Sequence, residues 1–112
     1  MLAIAAEINR IVDDEAFPTW VECRFCDAWG KEHIVCEKLP VVSALNRLSS
    51  SDLPCHAELP CELLRERAVA DGRKIATVTT QRPWGIETVE GKFEFDVEAA
   101  SLKGQKEGKR DI

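Results

Sequence analysis

The sequence lacks any uninterrupted apolar run approaching the roughly 20 residues a helix needs to cross a bilayer. Its opening stretch, MLAIAAEINRIVDDE, is apolar only as far as Ala6 and lacks the basic start of a secretory signal. The expected location is the cytoplasm, where thiols stay reduced. Catalytic signatures are missing as well: there is no G-x-S-x-G, no H-E-x-x-H and no glycine-rich phosphate loop. His33 and His56 have no companion motif, and Cys55 and His56 would diverge on a strand. Asp13, Asp14 and Glu15 are adjacent rather than at the spacing of a calcium loop. These gaps argue against an enzyme, and no cofactor is expected. Positive charge is also short. Fifteen Lys and Arg against twenty Asp and Glu give −5, and four of the bases lie in the last ten residues, leaving residues 1–102 at −7. That balance argues against nucleic acid and anionic membranes, which need basic patches to displace counterions.

What is present describes one ordinary domain. The 112 residues are 45% hydrophobic and 31% charged, without an internal repeat. A chain of this size buries roughly two-thirds of its unfolded surface, so it needs neither disulfide nor metal to hold a core. Alternation dominates over helical spacing. Strands are expected near 2–12, 19–28, 32–39, 56–67, 73–82 and 91–99, punctuated by Gly30, Asp71-Gly72, Arg82-Pro83-Trp84-Gly85 and Glu90-Gly91. Only Val41, Ala44, Leu45 and Leu48 have helical spacing, which predicts a short helix or irregular crossover around residues 41–49. The expected fold is all-β, a small six-stranded antiparallel barrel or sandwich over residues 1–102. Residues 103–112 are too polar to pack and read as a disordered tail.

Five cysteines, an odd number, argue against a closed disulfide framework. Cys23, Cys26, His33 and Cys36 have the spacing C-x2-C-x6-H-x2-C, which invites a zinc site. A hairpin tests the idea. If Trp29-Gly30 is a two-residue loop, Cys23 faces Cys36 and Phe25 faces Ile34 on the core side, while Cys26 faces His33 outside. Four ligands cannot then meet at one ion, so the reading is no metal, with a zinc-stabilised domain as the alternative. The expected core is Val21, Cys23, Phe25, Ile34, Cys36, Leu59, Leu63, Phe93 and Phe95.

The same register sets Glu22 opposite Glu37, an acidic pair on the outer face that Arg24 relieves in part. Trp20 falls on that outer face, Trp29 at the hairpin tip and Trp84 in the Arg-Pro-Trp-Gly corner. Large aromatics away from the core are candidate binding hot spots. Trp20, Glu22, Trp29, Glu37 and Trp84 are therefore the candidate partner-binding residues.

The stretches Pro18-Thr19-Trp20-Val21-Glu22-Cys23, Asp27-Ala28-Trp29-Gly30-Lys31-Glu32-His33 and Arg82-Pro83-Trp84-Gly85-Ile86-Glu87 resemble a group of short, uncharacterised bacterial β-rich proteins. That resemblance implies a compact β-rich domain and supplies no catalytic residue. The functional expectation is a non-enzymatic, acidic interaction module that binds another protein. A basic partner fits the −7 body, and an immunity- or antitoxin-like protein is the concrete form of this reading. An oligonucleotide-binding-type barrel using its aromatics as stacking platforms is the further alternative. The sequence carries no signal for oligomeric state.

Overall fold

A computed structural model describes residues 1–15, 17–45 and 47–104. Alternating β-branched and apolar residues build seven antiparallel strands: β1 (Leu2–Asp13), β2 (Trp20–Cys26), β3 (Glu32–Lys38), β4 (Cys55–Ala68), β5 (Lys74–Thr79), β6 (Glu94–Glu98) and β7 (Leu102–Gly104). They form one sheet in the order β3-β2-β1-β4-β5-β6, with β7 paired beside β1. The sheet curls into a half-barrel. Its two ends meet through a Val35–Thr88 bridge and the bonds Val89 N–H to Ile34 O (2.9 Å) and Ala28 N–H to Asp96 O (2.8 Å).

The fold is all-β, as expected, with one strand more. β7 pairs Lys103 and Gly104 with Ala3 and Leu2, so the expected tail begins in the sheet. Residues 105–112 lie outside the described residues. The helix also departs from expectation. α1 covers only Leu39–Val42, with Pro40 in its first turn, and ends at Ser43. Proline suits a helix start because its missing N–H would be unpaired there anyway. A single 3₁₀ turn follows at Ser50–Asp52.

The first hairpin is one residue out of the expected register. Cys23 pairs with Val35, Phe25 with His33 and Cys26 with Glu32. The loop has three residues, Ala28-Trp29-Gly30, because Asp27 and Gly30 occupy the first and fourth positions of a turn. Asp27 N–H donates to Lys31 O (2.8 Å), and Gly30, at φ 85°, closes the loop. Shifting a strand by one residue exchanges its faces. His33 therefore lies in the core at 5% exposure, while Ile34 and Cys36 move to the outer face and are only half-buried.

Of the expected core, Val21, Cys23, Phe25, Leu59 and Phe95 are buried together with Ile4, Ile8 and Val35. Leu63 is 40% exposed. β4 runs past the start of β1, so among the described residues its second half is paired only by β5. Phe93 is half-buried, because Gly91 closes another three-residue turn and β6 begins only at Glu94.

Candidate functional site

Two places on the barrel gather functional side chains. The first surrounds the Arg82-Pro83-Trp84-Gly85 corner after β5. Gly85, at φ 67°, donates its N–H to Gln81 O (2.9 Å), and Ile86 N–H reaches Thr80 O (2.9 Å). Thr80 is buried and returns its hydroxyl to the Ile86 carbonyl. Arg82 forms an ion pair with Glu62 on β4 at 2.8 Å. The corner is thus fixed from three directions, and it presents Trp84 at 62% exposure.

Trp84 forms one wall of a cleft of about 620 Å³. The facing wall is α1 and the residues after it. Burial of Leu39 and Val42 against the core leaves Pro40, Val41 and Ala44 to line the opening. β4 supplies Ala57 and Pro60, and the polar members include Ser43 and a His56–Glu58 pair at 3.2 Å.

The second place is the end of the barrel where three turns meet. Asp27 Oδ1 accepts the N–H groups of Trp29 (2.9 Å) and Lys31 (3.0 Å), while Oδ2 lies 2.8 Å from His33 Nε2. An ionised carboxylate only accepts, so Nε2 carries the proton. Burial pushes the Asp27 carboxyl up, but the bonds from His33 and the two backbone amides outweigh it and hold it below its ordinary value. The His33 ring stacks on Phe25 at 5.1 Å and meets the edge of Phe95 at 4.9 Å. Arg73 binds the Ala28 carbonyl (2.9 Å), Asp71 and Glu98, and its guanidinium lies 5.4 Å from the Trp29 ring. Asp96 accepts from Trp29 Nε1 (3.2 Å), Arg67 and Thr77. These contacts fasten the first hairpin to β5 and β6. They join the two ends of the half-barrel.

The five candidate residues do not form one surface. Trp29 is 53% exposed but engaged by Arg73 and Asp96, so it belongs to the clasp. Trp20 is half-buried under Lys38 Nζ, 5.4 Å above its ring. Glu22 pairs with Cys36 across the hairpin, whereas Glu37 pairs with Val21 and so belongs to the other face. The expected acidic pair is therefore absent, for the same one-residue shift. Hydrogen bonds from Asn9 (2.8 Å) and Arg10 (3.0 Å), with Arg24 at 4.0 Å, hold the Glu22 carboxyl below its ordinary pKa. Trp84 differs from the other tryptophans: it makes no hydrogen bond or ring contact among the described residues.

The zinc alternative finds no common centre. Cys23 is buried, Cys26 is exposed, Cys36 is on the outer face, and His33 is bound to Asp27. Among the described residues no three His, Cys, Asp or Glu side chains converge as metal ligands. Burial pushes the Cys23 thiol up to about 12 and the Cys61 thiol to about 11, so neither is a ready thiolate at neutral pH.

No protein family, curated protein or solved structure matches this chain. Among the described residues no helix is long and apolar enough to cross a membrane.

The Asp27–His33 pair and the Arg73 hub escaped the reading of the sequence, although half of the signal was there. Aspartate three residues before glycine marks a turn whose first side chain caps its own amides. The Arg73 contacts join residues far apart in sequence, which no local pattern reveals.

Proposed function

We propose that this chain is a non-enzymatic protein-binding module that recognises a basic protein partner through the cleft of Trp84, in the manner of an immunity or antitoxin-like protein. The observation that carries the reading is the presentation of Trp84: a large aromatic, 62% exposed, without an internal partner, on a corner fixed by backbone bonds and an ion pair. A rigid, exposed tryptophan beside a groove has the character of an interface anchor. The chemistry around it suits a Lys or Arg side chain. The aliphatic stem would lie along Pro60 and Val41, with the cation over the indole face and near Glu58. The −7 body adds long-range attraction, which raises encounter rates for a basic partner. Trp20 and Trp29 each already have an internal cation over the ring, and Glu22 is paired with Arg10, so none of the three is assigned to the contact surface.

The test is site-specific crosslinking in the living cell. A photoreactive phenylalanine analogue replaces Trp84 in one variant and the exposed Val89 in another. The proposal expects one discrete adduct from position 84, to a protein of basic composition, and none from position 89. Equal labelling from both positions, or an acidic adduct partner, would contradict it.

A further inference from the structure

A different surface carries its own argument, independent of whether the cleft has a partner. Phe17, in the connection between β1 and β2, is 98% exposed. Beside it is a hollow of about 210 Å³ lined by Phe17, Pro18, Thr19, Leu39, Pro40 and Arg47. Its shape is held by the bond from Leu39 N–H to Thr19 O (2.8 Å), which ties the start of α1 to the chain entering β2. An apolar cavity of roughly 150 Å³ accommodates benzene, so this hollow has room for a phenyl ring. Asp14 and Glu15 precede the knob and Arg47 walls the hollow; all three are exposed and form no ion pair among the described residues.

We infer that this surface is a self-association face on which Phe17 of each copy seats in the hollow of the other. A two-fold interface requires a patch complementary to itself, so that every feature meets its opposite across the axis. Here an apolar knob adjoins an apolar hollow of its own size, and unpaired charges of both signs flank them. A basic partner, which suits the acidic body as a whole, would leave the Arg47 side of this patch facing like charge. A second copy instead brings Asp14 and Glu15 to Arg47. At physiological ionic strength the repulsion between two chains of net −5 is screened beyond about 8 Å, so the local match governs.

Analytical ultracentrifugation of the full chain from micromolar to millimolar concentration tests the inference. The mass should rise from one chain to two. Phe17→Ser should weaken the dimer by roughly a hundredfold or more, since the substitution removes two symmetry-related anchors. Its melting temperature should stay at the wild-type value at a concentration where both chains are monomeric, because the removed ring is exposed. Arg47→Glu alone, and Asp14→Arg with Glu15→Arg alone, should each weaken association, and the three together should recover it. A chain that stays monomeric throughout, a Phe17→Ser variant that dimerises like wild type, or a triple variant without recovery would each overturn the inference.

Discussion

Replacing Asp27 by alanine removes three bonds at once and leaves a buried histidine without its partner. The two bonds to the Trp29 and Lys31 amides lie in an exposed turn, where water can replace the carboxylate; each contributes at most about 0.5–1.5 kcal/mol. The third is different. His33 is 5% exposed, and its Nε2–H would be buried with no acceptor, at a cost of about 1–3 kcal/mol. The expected loss for Asp27→Ala is therefore about 2–6 kcal/mol. Asp27→Asn keeps one oxygen for the turn and sets its amide NH2 opposite Nε2, which accepts that bond once the imidazole moves its proton to Nδ1, and should lose about 1 kcal/mol. Titration separates the two further. The folded-state pKa of Asp27 lies below its ordinary value of 3.8, so the ionised carboxylate stabilises the fold fully above that value. That contribution is lost as the pH falls through the lowered folded value. Asp27→Asn should lack this acid-dependent part. Urea unfolding followed by tryptophan fluorescence, at neutral pH and stepped towards acid, measures all of it. A loss below about 0.5 kcal/mol for Asp27→Ala, within the range of an ordinary surface change, would mean that the Asp27–His33 bond does not hold the turn. An asparagine variant as damaged as the alanine one would show that the amide does not take the carboxylate's place.

The same residue shows where the sequence was legible and where it was not. Alternating patterns located β1 to β6 to within a few residues, because half-buried strands impose a period of two on the side chains. Register was harder. It depends on loop length, and choosing Trp29-Gly30 over Ala28-Trp29-Gly30 exchanged Ile34 and Cys36 with His33. Leu63 failed for another reason: its strand pattern is sound, but no β1 residue lies beside that part of β4. β7 was invisible because Leu102-Lys103-Gly104 carries almost no apolar signal, and its place is set by the neighbouring β1. Trp84 could be singled out from its Pro-Trp-Gly corner, yet the cleft beside it joins α1, β4 and Gly104, which only the fold brings together.

Phe95, which meets the rings of Phe25 at 5.2 Å and His33 at 4.9 Å, should cost about 3–5 kcal/mol when truncated to alanine, measured by chemical denaturation. A loss under about 1 kcal/mol would mean that this face is not the core. Cys23→Ser should destabilise by about 1–3 kcal/mol, because it buries a hydroxyl with no assured partner, whereas Cys26→Ser, on an exposed thiol, should leave the melting temperature unchanged. A zinc chelator should also leave it unchanged, and equal damage from both serine variants would restore the metal reading.

The role of Trp84 is tested by the affinity of the crosslinked partner for the chain and its tryptophan variants, by calorimetric titration at fixed salt. If Trp84 is the anchor, Trp84→Ala should weaken binding by at least 2 kcal/mol, roughly thirtyfold, while Trp20→Ala, half-buried beneath Lys38, should change it little. Unchanged affinity in Trp84→Ala, or an equal loss in Trp20→Ala, would contradict the assignment of the cleft.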